Sequence, residues 1–342
     1  MQIDIKEKAK ILKERIARSE NIVIFGHVNP DGDAIGSSLG LYHYLKNKGK
    51  KTTVVMPNDF PGFLKWIPGA NEIVDFEKQK AVVTELLIAA DIIFYCDFND
   101  LKRIRALSDI KAEIRAYKVM IDHHPQLTGF ADIEFSDTSV SSASELVYEV
   151  ILEMGDSGLI DSDVANSILT GIITDTGLFH HNSENPRVFE VLAGLIRAGG
   201  DKEKVINEVY NTFTNNRLRL LGSSLYNGMQ VYAEYGSAYI VITLEDQKKF
   251  DYQIGDSEGH VNWPLSINEV NFSALFIEKD DYVKASFRSK GSFDVNVFAR
   301  EHYNGGGHKK AAGGKSYKPL NKTIEEFVSL IKKYKKEIKN ER

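Results

Sequence analysis

Histidine and aspartate side chains recur at four places within the first 175 residues of the chain. They are His27, Asp31, Asp33, Asp97, Asp122, His123, His124 and Asp175. Carboxylates that converge with histidines repel one another unless cations lie between them. Aspartate and histidine suit Mn²⁺, Mg²⁺, Fe²⁺ or Zn²⁺, and two such ions about 3.5–4 Å apart form a site for phosphoryl transfer. Because no cysteine belongs to the set, the pattern favours a two-metal phosphoesterase over a structural zinc site.

A simpler role for any one of these aspartates is helix capping. Asp33 or Asp97 could accept backbone N–H groups at the start of a helix, because aspartate is a preferred N-cap residue. For a single aspartate, capping and metal ligation are about equally good explanations. Capping does not explain why the carboxylates recur together with histidines, so we favour metal ligation for the set.

Short apolar runs alternate with helical patterns in the same part of the chain. The predicted strands are residues 21–26, 51–56, 91–96 and 117–121, and a helix is predicted over residues 34–48. This rhythm predicts an α/β fold whose parallel sheet has helices on both faces. His27, Asp97 and Asp122 follow three of these strands, and Asp175 ends the apolar stretch 166–174. Since ligands bind at the carboxyl ends of parallel strands, one edge of the sheet should carry the site.

The sequence changes character after about residue 228. Residues 140–226 are helical in pattern, whereas later runs such as VYAEYGSAYIVITL indicate strands mixed with helices. We therefore predict a catalytic domain over residues 1–200, a helical connector over 201–228 and a smaller mixed α/β domain over 229–342.

A glycine-rich run, NGGGHKKAAGGK, occupies residues 304–315. Such a run could be a flexible surface loop with a few lysines. Alternatively, Gly305, Gly306 and Gly307 could let backbone N–H groups converge on an oxyanion beside His308, because no Cβ blocks the required dihedrals. Arg288, in the strand-like SFRS, could add a bidentate phosphate contact or be an ordinary solvated strand residue.

Three of these motifs resemble a known family. GHVNPDGDAIGSSLG, the triplet Asp122-His123-His124 and ITDTGLF are similar to motifs of the DHH phosphoesterase superfamily. SFRS followed by GGGHKKAAGG resembles the DHHA1 domain, which accompanies the DHH domain and binds substrate. Together the resemblances cover most of the chain, and within the superfamily the whole chain most resembles the NrnA-type nanoRNases and pAp phosphatases.

The resemblance implies a role for each candidate residue. His27 and Asp31 would hold one metal ion, Asp33, His123 and Asp175 the other, and Asp97 both. His124 would contact the substrate phosphate, and Asp122 would orient a histidine through a hydrogen bond. Arg288, Gly305, Gly306, Gly307 and His308 would bind the substrate. Two divalent ions are expected, with Mn²⁺ preferred and Mg²⁺ or Co²⁺ as alternatives.

The same resemblance implies a substrate class. The expected function is hydrolysis of short oligoribonucleotides (nanoRNA and dinucleotides), of the 3′-phosphate of adenosine 3′,5′-bisphosphate (pAp), or of both. Alternatives are a cyclic-dinucleotide phosphodiesterase and a pyrophosphatase or exopolyphosphatase-like hydrolase. A nucleotide-binding regulator without catalysis is disfavoured, because every expected ligand is present.

Composition limits the setting in which the protein works. The 342 residues carry a formal net charge of −5, which disfavours a grip on long duplex DNA. The N-terminus lacks a secretory signal pattern, and no apolar run is long enough to span a membrane. The single cysteine, Cys96, fits a reducing compartment. We expect a cytoplasmic protein without membrane contact, and the family resemblance is compatible with a homodimer.

Overall fold

The chain folds as two units, which divide between Thr212 and Phe213. The computed structural model describes residues 5–104, 114–180 and 182–339. Each unit contains one six-stranded sheet and its own hydrophobic core. Across the described residues, no helix combines the length and the apolar character needed to cross a bilayer.

The first unit alternates strands and helices, as the sequence predicts. Its strands are β1 (Asn21–Phe25), β2 (Lys51–Met56), β3 (Val74–Asp75), β4 (Ile92–Cys96), β5 (Tyr117–Asp122) and β6 (Ile133–Ser136). Its helices are α1 (Ile5–Arg18), α2 (Gly32–Asn47), α3 (Lys80–Ala89), α4 (Ala143–Glu153), α5 (Ser162–Asp175), α6 (Arg187–Arg197) and α7 (Lys202–Tyr210).

All neighbouring strands of the first sheet are parallel, in the order β3-β2-β1-β4-β5-β6. A parallel sheet must be covered on both faces, so its strands are apolar on both sides. Ile22 and Ile24 of β1 face a core shared with α1, α2, α4 and α5, whereas Val23 and Phe25 face a core shared with α3. The predicted parallel sheet with helices on both faces is therefore confirmed.

Helix α2 is the most deeply buried helix of this unit. Every residue from Gly32 to Leu45 is buried. The helix lies unusually close to α5, because a Cβ on Gly36 would lie 2.6 Å from the backbone nitrogen of Gly171. Glycine at both positions lets the two backbones approach, and this approach brings the start of α2 beside the end of α5.

The second unit is smaller and mixed, as predicted. Its strands are β7 (Met229–Tyr232), β8 (Ser237–Ile242), β9 (Phe272–Glu278), β10 (Val283–Ser289), β11 (Gly306–Gly307) and β12 (Ala311–Ser316). Its helices are α8 (Asn215–Tyr226), α9 (Leu244–Lys249), α10 (Val295–His302), α11 (Leu320–Lys333) and α12 (Lys335–Lys339).

The second sheet has the order β11-β12-β10-β9-β8-β7, and only its β8–β9 pair is parallel. One face packs an aromatic core that includes Phe272, Phe287, Phe298 and Phe327. The other face packs a smaller core around Leu220 of α8. Helix α7, by contrast, contributes Val205 and Val209 to the core of the first unit.

Candidate metal centre

The candidate centre begins where the strand order of the first sheet reverses. Strands β1 and β4 are neighbours there, although β2 and β3 lie between them in sequence. In open α/β sheets, this reversal opens a crevice at the carboxyl ends of the strands. His27 lies two residues beyond β1, and Asp97 directly follows β4. The topology therefore brings these two side chains to the place in the sheet best suited to a ligand.

Asp97 has an uncommon backbone conformation that aims its side chain into this crevice. Its φ is 64°, and its side chain is buried. A left-handed conformation is rare outside glycine, and such strain occurs preferentially at functional sites. One carboxylate oxygen, Oδ2, lies 3.2 Å from His27 Nε2. The other, Oδ1, lies 3.6 Å from His123 Nε2. The two oxygens of Asp97 thus lie near two different histidines.

The first group of ligand atoms consists of His27, Asp31 and Asp97. His27 Nδ1 lies 2.9 Å from the Val28 carbonyl oxygen. A carbonyl only accepts, so Nδ1 donates and Nε2 faces the carboxylates. Asp31 Oδ1 lies 3.8 Å from His27 Nε2. Asp31 also caps α2, because its side chain accepts the backbone N–H groups of residues 33 and 34.

The second group consists of Asp33, His123 and Asp175. His123 Nε2 lies 3.7 Å from Asp33 Oδ2 and 3.7 Å from Asp175 Oδ2. The Asp33 carboxylate accepts the backbone N–H groups of Ala143 (2.6 Å) and Ser144 (2.9 Å) at the start of α4. Helix N-termini favour negative charge, so α4 stabilises this buried carboxylate. Asp33 therefore contacts the N-terminus of a different helix and does not cap its own.

Close packing of glycines places Asp175 within reach of this group. Asp175 is the last residue of α5. A Cβ on Gly171, one turn earlier, would lie 1.8 Å from Ser144 Oγ and 2.7 Å from Asp33 Oδ1. The position admits no side chain, so the end of α5 can lie against the start of α2.

His124 lies beside the two groups, with its Nδ1 3.6 Å from Asp97 Oδ1, and it takes part in a further chain of contacts. Its Nδ1 lies 2.7 Å from Asp122 Oδ1, and its backbone N–H donates to Asp122 Oδ2 over 3.0 Å. Its Nε2 lies 3.2 Å from NH1 of Arg103. Guanidinium only donates, so Nε2 accepts and Nδ1 carries the proton given to Asp122. Asp122 therefore orients His124.

Protonation equilibria show how strongly the carboxylates act on the histidines. Burial opposes protonation of His123, yet the charges of Asp175, Asp33 and Asp97 outweigh it and raise its pKa to about 9. Burial and the charge of Arg103 likewise oppose protonation of His27, but Asp31 and Asp97 raise its pKa to about 9.

The carboxylates respond to the same crowding. Burial, with the charge of Asp97, raises the pKa of Asp175 to about 6 despite the opposing charge of His123. Burial and the charges of Asp97 and Asp175 raise the pKa of Asp33. The cluster therefore favours additional positive charge, as protons or as cations.

The donor set fits divalent cations. Three candidate ligand atoms, His27 Nε2, Asp97 Oδ1 and Asp175 Oδ2, are buried and make no hydrogen bond within the described part of the chain. Buried polar atoms normally have a partner, and an exception calls for an explanation. In each of the two groups, the candidate ligand atoms lie within 4.8 Å of one another. Imidazole nitrogens with carboxylate oxygens suit Mn²⁺, Mg²⁺, Fe²⁺ or Zn²⁺.

The glycine-rich run of the second unit forms a tight β-hairpin, and the substrate-binding role of its glycines stays a prediction. The backbone N–H groups of Gly305, Gly307 and His308 donate to Ala299 O, Asn296 Oδ1 and Ala311 O, respectively. These three groups are therefore used within the protein and do not converge on an oxyanion. The glycines serve close approach instead, because a Cβ on Gly305 would lie 1.9 Å from the Gly313 carbonyl oxygen.

Arg288 lies beside this hairpin. It is on β10, paired with Ala311 of β12, and it is partly buried. The next residue, Ser289, donates its N–H to the Lys310 carbonyl. Arg288 and His308 thus lie at the same end of the second sheet, and their predicted contact with substrate stays a prediction.

Sequence reasoning missed two contributors to the centre. Arg103 lies in a short 3₁₀ turn six residues after Asp97, and no pattern in the sequence marks it. The start of α4 had a usable signal, since Ser142 followed by Glu145 is typical of a helix N-terminus. The Ser142 side chain does accept the N–H of Glu145. The contact between the start of α4 and Asp33 joins residues more than a hundred positions apart, so the sequence does not predict it.

Comparison with known families matches both units. The N-terminal domain of the DHH family matches residues 21–172. The DHHA1 domain matches residues 236–337. The two matches fall on the first and second units, respectively.

Individual relatives match over nearly the whole chain. The crystal structure of an exopolyphosphatase-related protein from Bacteroides fragilis is 43% identical, with a TM-score of 0.93 and 99% of each chain covered. The bifunctional oligoribonuclease and PAP phosphatase NrnA of Bacillus subtilis is 27% identical over 93% of this chain and 97% of its own length. The protein of the same name from Thermus thermophilus is 29% identical, covering 90% of this chain and 88% of its own.

Proposed function

The chain belongs to the DHH phosphoesterases that carry a DHHA1 domain and is a hydrolase of phosphoester bonds, and we propose that it acts on short nucleotides. The proposed substrates are very short oligoribonucleotides, down to dinucleotides, and the 3′-phosphate of pAp. Similarity to the B. subtilis and T. thermophilus proteins, whose names state both activities, supports the substrate class.

The main support for metal-dependent catalysis is the position of Asp97 between two groups of candidate ligands. Its two oxygens lie 3.2 Å from His27 Nε2 and 3.6 Å from His123 Nε2. We propose that His27 and Asp31 hold one ion, that Asp33, His123 and Asp175 hold the other, and that Asp97 bridges them. Two bound cations, with Mn²⁺ preferred, would supply an activated water and neutralise charge on the reacting phosphate.

The residues of the chain then divide the remaining work. Asp122 keeps the His124 ring fixed. A proton on Nε2, in place of the contact with Arg103, would let His124 donate to the phosphate and stabilise its charge. Helix α4 stabilises the Asp33 carboxylate through two N–H groups. These contacts oppose the burial and the neighbouring charges that raise the pKa of Asp33, and a bound cation would favour the ionised form further. The contact of His27 Nδ1 with the Val28 carbonyl keeps Nε2 aimed at Asp31 and Asp97.

We further propose that the second unit binds the substrate away from the reacting phosphate. Arg288 and His308 offer N–H donors at one end of the second sheet, and the partly buried hairpin residues Gly305, Gly306 and Gly307 leave its surface without side chains. A guanidinium suits a second phosphate. If Arg288 and His308 bind a second phosphate of the same substrate, binding depends on how far that phosphate lies from the reacting one. Short substrates should therefore be preferred over long strands, and long duplex DNA should not be processed. Work in the cytoplasm, and a homodimeric state, belong to the same proposal.

A second candidate is hydrolysis of inorganic polyphosphate or pyrophosphate. The B. fragilis relative carries the description exopolyphosphatase-related at 43% identity. The same metal centre would serve that reaction, since the reacting group is again a phosphate.

One parallel assay separates these functions. Purified protein with Mn²⁺ is incubated with pAp, a linear dinucleotide, a cyclic dinucleotide, pyrophosphate and a long RNA strand. We expect the highest kcat/KM on pAp or the linear dinucleotide, and the Asp97→Asn variant serves as a control for contaminating enzymes. Faster turnover of pyrophosphate or of the cyclic dinucleotide would show that the proposed substrate class is wrong. Equal rates on long RNA and on the dinucleotide would contradict the proposed contact between the second unit and the substrate.

A further inference from the structure

Arg103 lies in a short turn that is anchored at the edge of the candidate centre. Residues 101–104 form a 3₁₀ turn, in which the N–H of Arg103 donates to the Asp100 carbonyl over 2.9 Å. The Arg103 carbonyl in turn accepts the N–H of Val28, the residue after His27, also over 2.9 Å. The backbone of Arg103 is thus tied directly to the segment that carries the first ligand group.

The side chain of Arg103 points to His124. Its NH1 donates to His124 Nε2 over 3.2 Å, while His124 Nδ1 donates to Asp122 Oδ1 over 2.7 Å. Asp122 is fully buried, so this chain of contacts runs from a fixed interior carboxylate to a partly exposed guanidinium. The geometry places a permanent positive charge beside the ligand groups without using it as a ligand.

The charge of Arg103 acts on several members of the centre. Burial would raise the pKa of Asp31, yet His27, the N–H of Ala34 and the charge of Arg103 lower it below its usual range. The same charge helps to lower the pKa of Asp122, where His124 is the main cause opposing burial. These directions agree with the contact geometry, which places NH1 of Arg103 3.2 Å from His124 Nε2.

A neutral imidazole is a weak partner for a guanidinium. Hydrogen bonds from guanidinium to an ionised oxygen are shorter and roughly twice as strong as neutral ones. Guanidinium also has five N–H donors in a planar fork, which matches two oxygens of one phosphate. The described contact with His124 uses NH1 alone, so the fork retains N–H groups that could bind an anion.

From these contacts we infer that Arg103 binds non-bridging oxygens of the substrate phosphate beside His124. It supplies the first unit with a phosphate-binding cation that belongs to the protein itself and not to a bound ion. In the absence of substrate, Arg103 holds the His124 ring from one side and Asp122 holds it from the other. The inference rests on the proposed phosphoester substrate, but it concerns phosphate binding and not the identity of the rest of the substrate.

The test compares Arg103→Ala, Arg103→Lys and the neighbouring Lys102→Ala by isothermal titration calorimetry. Lys102 is a matched control, because it lies in the same turn with 87% of its side chain exposed. Inorganic phosphate is titrated into Mn²⁺-loaded protein, and Mn²⁺ is titrated separately into metal-free protein. We expect Arg103→Ala to weaken phosphate binding by about tenfold or more, the amount expected for a charge-assisted hydrogen bond. Mn²⁺ affinity should stay within about twofold of wild type, and Lys102→Ala should change neither.

Turnover gives a second measurement. With the best substrate of the assay panel, Arg103→Ala should lower kcat/KM about 100-fold, as for loss of one donor to a developing oxyanion. Arg103→Lys should restore only part of it, because an ammonium lacks the planar fork. If Arg103→Ala does not fold, the lysine variant decides: weaker phosphate binding with unchanged Mn²⁺ affinity supports the inference.

Two results would overturn it. Wild-type phosphate affinity in a folded Arg103 variant would show that the guanidinium does not contact phosphate. Equal losses of Mn²⁺ and phosphate affinity would show that Arg103 only supports the metal ligands. Failure of the proposed function looks different, since wild-type protein would then bind phosphate through Arg103 while turning over no nucleotide.

Discussion

The two units differ in whether the polar atoms of their candidate residues have hydrogen-bond partners within the protein. In the first unit, His27 Nε2, Asp97 Oδ1 and Asp175 Oδ2 are buried without a hydrogen bond to another described residue. In the second unit, the N–H groups of Gly305 and Gly307 already donate to protein acceptors. A set of unsatisfied buried ligand atoms is costly unless cations complete it, whereas a satisfied hairpin is stable alone.

This difference separates a region whose arrangement depends on charge from one whose arrangement depends on shape. In the first unit, the identity of the side chains matters most, because carboxylates and imidazoles must present particular atoms to the proposed cations. In the second unit, absence of side chains matters most, because the β11–β12 hairpin leaves no room for a Cβ at Gly305. Four substitutions or conditions test this contrast.

Loss of the shared carboxylate should have the largest effect. Asp97→Asn removes the charge that faces both His27 and His123. A metal centre contributes several kcal/mol to the transition state, so kcat should fall by about 10³-fold or more. Steady-state kinetics with saturating Mn²⁺ measures this, with the exposed Asp281→Asn of the second unit as control. A near-normal rate would remove Asp97 from the centre.

Metal affinity should rise with pH. His27 and His123 have pKa values of about 9 without metal, so both carry a proton at pH 7 that a cation must displace. Asp175, with a pKa of about 6, is mostly ionised at that pH. Each ion should therefore release at least about one proton, and the raised pKa of Asp33 adds to the release by the second ion. The apparent affinity of each ion should rise about tenfold or more between pH 7 and pH 8.

Calorimetry of Mn²⁺ binding in buffers of different ionisation enthalpy counts these protons.

The free energy of unfolding of the metal-free protein should also depend on pH. A histidine whose folded pKa is raised stabilises the fold fully below its ordinary value of 6.5 and loses that contribution as pH rises through about 9. Metal-free protein should thus be less stable at pH 9 than at pH 6.5, in contrast to the metal-loaded form. Binding without proton release would contradict these pKa directions.

Separating two helices should damage the centre indirectly. In Gly36→Ala, the new Cβ would lie 2.6 Å from the Ser167 carbonyl oxygen and from the Gly171 nitrogen. Overpacking of this kind costs about 1–3 kcal/mol, and the shift of α2 from α5 should weaken Mn²⁺ binding about tenfold. Urea unfolding and calorimetry measure the two effects. Gly222→Ala in α8 is the control, because no atom lies within 4 Å of the added Cβ, and it should be neutral or stabilising.

The hairpin should respond to shape and leave metal binding intact. In Gly305→Ala, the Cβ would lie 1.9 Å from the Gly313 carbonyl oxygen, whereas in Gly306→Ala the nearest atom is 3.5 Å away. Gly305→Ala should destabilise the second unit by about 1–3 kcal/mol. Gly306→Ala should be nearly neutral, and Mn²⁺ affinity should be unchanged in both. Equal stability of the two variants would mean that the hairpin does not need close approach.

The general architecture could be predicted because its signals are local. Strand β2 has the predicted bounds, Lys51–Met56, and β1, β4 and β5 each differ from prediction by a single residue. Apolar runs bounded by polar residues fix such strands. Strands β3 and β6 were not predicted, since they have only two and four residues and too little pattern to stand out.

The site was harder to predict, because its assembly depends on contacts between distant segments. Residue type and position after a strand were enough to select His27, Asp97 and His123 as candidates, and the structure brings them together. Their role as metal ligands stays a prediction. Nothing in the sequence states that α4 stabilises Asp33 or that Arg103 contacts His124, since both depend on tertiary packing. For the glycine run, composition suggested free N–H groups, but pairing of β11 with β12 and the neighbouring acceptors use them.

The central claim is that this centre holds two cations joined by Asp97. Equilibrium dialysis with Mn²⁺, followed by electron paramagnetic resonance of the loaded protein, tests it directly. We expect two Mn²⁺ ions per chain with an exchange-coupled spectrum, because a shared carboxylate would keep the ions about 3.5–4 Å apart. Asp97→Asn should lose the coupling. A single ion per chain, or a coupled spectrum that survives this substitution, would contradict it.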